Sequence, residues 1–221
     1  VKFRVRGSTD AAVKALLDRI MAGIKGQRVS DLARLTPDIL AGILPRIYPQ
    51  MMRVVHDHQD AGLGCYIVTA ASQEMAEKLA DVLAMDGAIG TRSEIVDGVY
   101  TGKLAGPFVY GEGKANAMRQ FAEAEGIDLQ LSWAYSDSAS DLPMLRAVGH
   151  PVAVNPDADL EQVARLEGWE IFRFEKLGQR LRIAGTTLAV GGVAAAGAWL
   201  AGRQRERMQR RSARPRIPGR H

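Results

Sequence analysis

The chain has 221 residues, 47% of them hydrophobic and 24% charged, which is the balance of a globular protein rather than a disordered or fibrous one. That length buries one good core, or one core with a small accessory unit, and a single cysteine excludes a disulfide scaffold. The net charge of +4 conceals a basic tail: residues 203–221 hold eight Arg and one Glu, so the rest of the chain is net negative and no specific nucleic-acid-binding domain is implied.

The opening "VKFRVRGSTD" is charged and has no apolar stretch of the kind a secretory leader needs. Cys65 lies inside the apolar run "CYIV" and reads as a small buried hydrophobe, so a reducing, cytoplasmic setting is expected. Residues 7–62 read as several short helices. Ser8 is a candidate N-cap, Leu, Ile and Met recur three and four apart, Pro37, Pro45 and Pro49 punctuate the run, and Gly62 closes it. Within it, "VVHDHQDAG" places His56 and Asp60 one turn apart. That spacing could hold a metal, but the polar, solvated end of a helix is the expected reading.

The period then changes. "GCYIVTA" (64–70) predicts a buried parallel strand and "SQEMAEKLADVLA" (72–84) an amphipathic helix opened by Ser72. "TRSEIVDGVYTGKL" (91–104) predicts a hairpin turning at Asp97-Gly98. A helix over 111–126 ends at Gly126, and a second buried strand covers 131–137. A short helix (140–149), a strand (151–156), a helix (158–168) and a strand (169–174) follow. Strands alternating with helices predict an α/β fold: a Rossmann-like, mostly parallel sheet with helices on both faces. Four regions are expected: a helical cap with the helix leading into the core (1–62), the α/β core (63–176), a hydrophobic helix (177–202) and a basic disordered tail (203–221). Residues 183–202 carry no charge, and as a helix they would extend about 30 Å. They suit either a membrane span or a helix packed on the domain, and the flanking arginines would favour an anionic membrane.

Ligands of an open parallel sheet bind beyond the carboxyl ends of its strands. Three polar features fall there: Thr69 after "CYIV", Asp137 and Asp141 after "LSWAY", and Lys114 at the start of the helix beyond the hairpin. Two carboxylates suit a hard cation such as Mg²⁺, and an ammonium with a hydroxyl suits the phosphoryl oxygens beside it. Singly, Thr69 or either Asp could be a helix cap. "GEGK" is not a phosphate loop, because Phe108 stands where that motif needs its first Gly and Ala115 follows the lysine.

In order and spacing, "YIVTAAS", "YGEGKA" and "YSDSASDLPML" resemble the second, third and fourth motifs of the haloacid-dehalogenase-type phosphohydrolases, in the phosphoserine-phosphatase-like branch with a helical cap. The resemblance implies a Mg²⁺-dependent phosphomonoester hydrolase acting on a small phosphorylated metabolite through an aspartyl phosphate. It implies Thr69 and Lys114 as catalytic groups, Thr69, Ser72 and Lys114 as substrate-binding groups, and Asp137 and Asp141 at the metal. That family's first motif, D-x-D-x-[TV] at the end of the first strand, occurs nowhere in the chain, and Asp10 opens a helix and cannot stand in for it. In the resembled fold the strand bearing that motif lies between the strands ending at Thr69 and Asp137. The chain is therefore expected to have a gap at the centre of its sheet, to be truncated ahead of Val1, and to be inactive by itself. The alternatives are a non-catalytic, membrane-associated phosphate-binding or interaction protein, and an adapter whose basic tail binds anionic lipid or nucleic acid. Arg4 and Arg6 read either as surface charges or as partners of a substrate carboxylate.

Overall fold

A computed structural model describes residues 10–174. Residues 183–202, the basic tail, Arg4 and Arg6 lie outside that range, and so do the expectations placed on them. Among the described residues no helix is long and apolar enough to cross a membrane.

Helices α1 (Asp10–Ile24), α2 (Val29–Ala33), α3 (Thr36–Ile43) and α4 (Pro49–Asp60) form the leading segment. Prolines sit in the first turns of α3 and α4, where a missing N–H costs nothing. Gly62, at φ 77°, turns the chain after α4. Helices α2, α3 and α4 contain no fully buried residue, so their apolar sides are only half covered.

Strand β1 (Tyr66–Ser72) pairs in parallel with β2 (Gly87–Thr91) through helix α5 (Gln73–Val82). The antiparallel hairpin β3 (Ser93–Val96) and β4 (Val99–Leu104) turns at Asp97 and Gly98, both with positive φ, as a tight hairpin requires. This hairpin is tied to the leading helices: Gly26 N–H donates to Tyr100 O (2.8 Å), Tyr100 N–H to Gln27 O (2.9 Å) and Val29 N–H to Gly98 O (3.0 Å). Helix α6 (Glu112–Glu125) leads to β5 (Trp133–Ser136), α7 (Leu142–Leu145), β6 (His150–Val154), α8 (Ala158–Glu167) and β7 (Glu170–Phe172). Strands β5, β6 and β7 lie in that order and are parallel throughout.

The parallel sheet is therefore in two pieces, β1–β2 and β5–β6–β7, and among the described residues no strand joins β1 to β5. The expected gap lies between the two strands that carry the candidate site. Its effect is visible in burial. All seven residues of β1 are only half-buried, against the fully buried strand expected from its sequence, whereas β6 hides Val152, Ala153 and Val154 completely. A strand with one ladder partner lacks the neighbour whose side chains would cover its own.

The main core sits where α6, α7 and α8 meet β5 and β6: Ala115, Leu145, Ala153 and Leu160 have no exposed surface. Each such leucine contributes about 1.5–3 kcal/mol through burial. A smaller cluster of Ile89, Val109 and Ala117 seats α6 on β2, and Val68 of β1 packs against both clusters.

Strand β2 is not among the elements read from sequence, because "GAIGT" contains two glycines and a short apolar run. Gln73 accounts for it. Its side-chain amide accepts from Gly90 N–H (2.6 Å) and donates to Ala88 O (2.8 Å), serving β2 as a one-residue strand mimic. A Cβ on Gly90 would lie 2.8 Å from Gln73 Cα, so the close approach needs a glycine there.

Candidate active site

The loop after Tyr110 is built to place Lys114. Gly111 has φ 54° and ψ −125°, a conformation essentially confined to glycine, and it turns the chain into α6. A Cβ on Gly113 would come 2.1 Å from Phe108 O, so the first turn of α6 packs flush against the preceding loop. These two glycines set Lys114 in that turn with its side chain pointing inward, only 7% exposed. "GEGK" is thus a lysine-positioning loop whose glycines serve packing.

Lys114 Nζ meets Asp141 Oδ1 at 2.6 Å, and Asp141 is equally buried. Apart from this ion pair, Oδ1 has no partner among the described residues. The other oxygen, Oδ2, accepts from Ser136 Oγ at 2.7 Å. Ser136 ends β5, and its hydroxyl also accepts from Ser138 N–H (3.2 Å), so one serine braces both the loop and the carboxylate. A buried ammonium and a buried carboxylate are tolerable only together.

Asp137 stands between Ser136 and Asp141 on this loop but is solvent-exposed. The protein crowding its carboxyl raises the pKa above the ordinary carboxylate value. The charges of Asp141 and Asp157 raise it further, opposed by a backbone hydrogen bond and by Lys114. The two acids therefore divide. Asp141 is turned inward and committed to Lys114 and Ser136. Asp137 is turned outward, and Lys114 supplies only part of the positive charge its ionised form calls for. A divalent cation would supply that charge, and Mg²⁺ is commonly held by one or two carboxylates with the rest of its shell from water and phosphate. The donor set fits such an ion, although no group of three or more acidic, His or Cys side chains among the described residues makes a ready cage.

Thr69 lies toward the end of β1, where its Oγ1 accepts from Ala71 N–H at 3.2 Å. The hydroxyl hydrogen stays available, but no contact ties Thr69 to Lys114 or Asp137. Ser72 caps α5 by accepting from Met75 N–H (3.3 Å), which engages one lone pair of its hydroxyl. Thr91, absent from the sequence reading, is 4% exposed. Its hydroxyl donates to Ala70 O (3.0 Å) and accepts from Val109 N–H (3.2 Å), bracing the β1 end against the loop before α6.

The other sequence candidates separate. His56, Asp57 and Asp60 are exposed, as expected of a polar helix end. His58 departs from that reading: its Nε2 lies 2.7 Å from Tyr135 Oη and its ring 5.2 Å from Trp133, whose other neighbour is His150 at 4.3 Å. Burial, with Glu170 adding to it, pushes the Tyr135 hydroxyl up to about 12. Cys65 is buried, and burial together with the charge of Asp86 raises its thiol above the ordinary value, which disfavours the thiolate.

The fold and the site together define an α/β protein with an ammonium, a hydroxyl and two carboxylates near strand carboxyl ends. Residues 2–146 match the family of haloacid dehalogenase-like hydrolases. Phosphoserine phosphatase SerB1 of Mycobacterium tuberculosis is 39% identical over 210 residues, covering 93% of this chain and 68% of the relative. A histidinol-phosphatase of Neisseria meningitidis is 33% identical over 168 residues, covering 74% of this chain and 76% of the relative. A crystal structure of a Bordetella pertussis protein of unknown function aligns with TM-score 0.64 and 29% identity, covering 75% of this chain and 74% of that one. The chain belongs to the haloacid dehalogenase-like hydrolase family.

Proposed function

We propose that this chain carries three parts of a phosphomonoester hydrolase site: the Thr69 hydroxyl, the Lys114 ammonium and the cation-holding carboxylate of Asp137. The observation that supports this most is the buried Lys114–Asp141 pair, joined to Ser136, directly beside an exposed acid. Its cost in desolvation is hard to explain as scaffolding alone. The relatives named for phosphoserine and histidinol phosphate favour a small phosphorylated metabolite as the substrate.

In this reading Lys114 holds a phosphoryl oxygen and Thr69 donates its hydroxyl hydrogen to another. Asp141 keeps Lys114 charged and aimed. Asp137, with Asp141 behind it, holds Mg²⁺, which when bound offsets negative charge on the phosphate. Ser72 offers its remaining hydroxyl capacity and the N-terminal end of α5 to the same anion. The nucleophilic Asp and the acid–base Asp of an aspartyl-phosphate route have no counterpart motif in this sequence. The leading helices with the β3–β4 hairpin act as the cap. From sequence alone we also propose that residues 183–202 and the Arg-rich tail contact an anionic membrane.

The missing D-x-D-x-[TV] motif favours one second reading, a phosphate-binding protein without turnover. Phosphate release from p-nitrophenyl phosphate with Mg²⁺ separates them. The chain alone is expected to be silent, and a chimera carrying the relative's D-x-D segment ahead of residue 1 is expected to turn over. A silent chimera that still binds inorganic phosphate would establish the second reading.

A further inference from the structure

Asp157 is absent from every motif discussed so far, yet two of its polar groups are spent on the Asp137 loop. Its Oδ1 accepts from Leu160 N–H at 2.8 Å, which is the N-cap of α8. Its Oδ2 accepts from Ala139 N–H at 2.9 Å, in the middle of the loop. Its own N–H donates to Asp137 O at 2.8 Å. One residue thus joins the start of α8 to the loop by two bonds, one on each side of Ser138.

The approach of Asp157 is arranged by the turn before it. Asn155 adopts φ 44°, a left-handed conformation that asparagine tolerates better than most residues. Its backbone N–H donates to Phe172 O (2.8 Å), and its Oδ1 accepts from Phe174 N–H (2.8 Å). The chain leaving β6 is therefore anchored to the strand on one side before Asp157 reaches the loop on the other. The loop's other hydrogen bonds run among Ser136, Ser138, Ser140 and Asp141 and are local; its other tie to a neighbouring element is the Lys114–Asp141 ion pair at the far end of the loop, which holds Asp141 rather than Asp137.

We infer that Asp157 is the positioning residue of the Asp137 loop, a clamp from α8 that fixes where Asp137 presents its carboxylate; this rests on reading Asp137 as the cation-holding acid. The clamp opposes a real force. Asp137 and Asp141 are like charges on one short loop, and Asp157 adds a third nearby. Without tethers the exposed Asp137 segment would relax outward, away from Lys114 and Asp141. Bonds made through backbone groups resist this without occupying the Asp137 carboxylate.

Asp157→Ser separates the clamp from the cap. A serine accepts from Leu160 N–H as a good N-cap, but its single short hydroxyl cannot also reach Ala139 N–H. In the full chain, amide hydrogen exchange followed by NMR should show the Leu160 amide within about twofold of wild type. The amides of Ala139 and of position 157 should exchange about tenfold faster. Unchanged protection at Ala139 overturns the inference. Mg²⁺ titration, followed through the Asp137 and Ser138 amide shifts, gives the functional arm. Weaker Mg²⁺ binding in the variant by about five- to tenfold, at an unchanged melting temperature, supports a positioning role, and equal binding overturns it. If the wild-type chain shows no Mg²⁺-dependent shifts, the reading of Asp137 falls, and the clamp is still decided by the exchange at Ala139.

Discussion

Removing the charge of Asp141 tests the pair at the centre of the site. Lys114 and Asp141 lie 2.6 Å apart and each is 7% exposed. At an effective dielectric of about 20 that separation corresponds to about 6 kcal/mol of attraction, much of it offset by the cost of taking both groups out of water. Asp141→Asn keeps the shape but leaves the ammonium buried opposite a neutral amide. The expected loss is about 3–5 kcal/mol in urea unfolding at pH 7. Lys114→Met should cost a similar amount by stranding the carboxylate, with Ser136 Oγ as its remaining hydrogen-bond donor. The double variant should recover much of this and lie within about 2 kcal/mol of wild type, because neither charge is left unpaired. Melting all three variants by circular dichroism checks that unfolding remains two-state. Single-variant losses that simply add, with a coupling under about 0.5 kcal/mol, would refute the claim that these groups act as a pair.

Three further expectations follow from particular contacts. Asp137→Asn should raise the melting temperature at pH 7. The folded protein binds the Asp137 proton more tightly than the unfolded chain does, so this group's contribution is most favourable at acid pH and declines as pH rises through its raised pKa. The gain from the variant should therefore vanish below the ordinary carboxylate range in thermal melts against pH, and a gain that grows toward acid would contradict the assignment. Gly113→Ala should destabilise by about 2 kcal/mol or more, because a methyl 2.1 Å from Phe108 O must displace backbone; urea titration reads the loss, and an unchanged midpoint would mean that the loop yields freely. Gln73→Ala should cost about 1–3 kcal/mol by stranding Gly90 N–H and Ala88 O, with faster amide exchange confined to β2; full protection at Gly90 would show that Gln73 is dispensable there.

Much of the fold was legible because its signals are local. Ser72 caps α5, and Gly126 and Gly168 end α6 and α8 in the left-handed conformation. Asp97 and Gly98 turn the hairpin, and each of these acts within a few residues of where it is read. The candidate site was legible as residue types in order: a hydroxyl, a lysine, two acids. Their division of labour was not, since nothing in "SDSASD" distinguishes an inward Asp141 from an outward Asp137. Strand β2 was hidden because its pairing with β1 and the Gln73 amide, rather than its own sequence, make it a strand. His58 looked like one more polar group on a helix end until Tyr135, 77 positions away, came within 2.7 Å. Asp157 drew no reading from sequence, and its tie to Ala139, 18 positions away, appears only in the folded chain. Composition, periodicity and capping residues determined the order and kind of the elements, because they act through neighbouring backbone. Tertiary structure alone decided which charge is buried against which, which strands pair with which among the described residues, and which cap also serves as a tether. Those depend on distances between segments far apart in the chain.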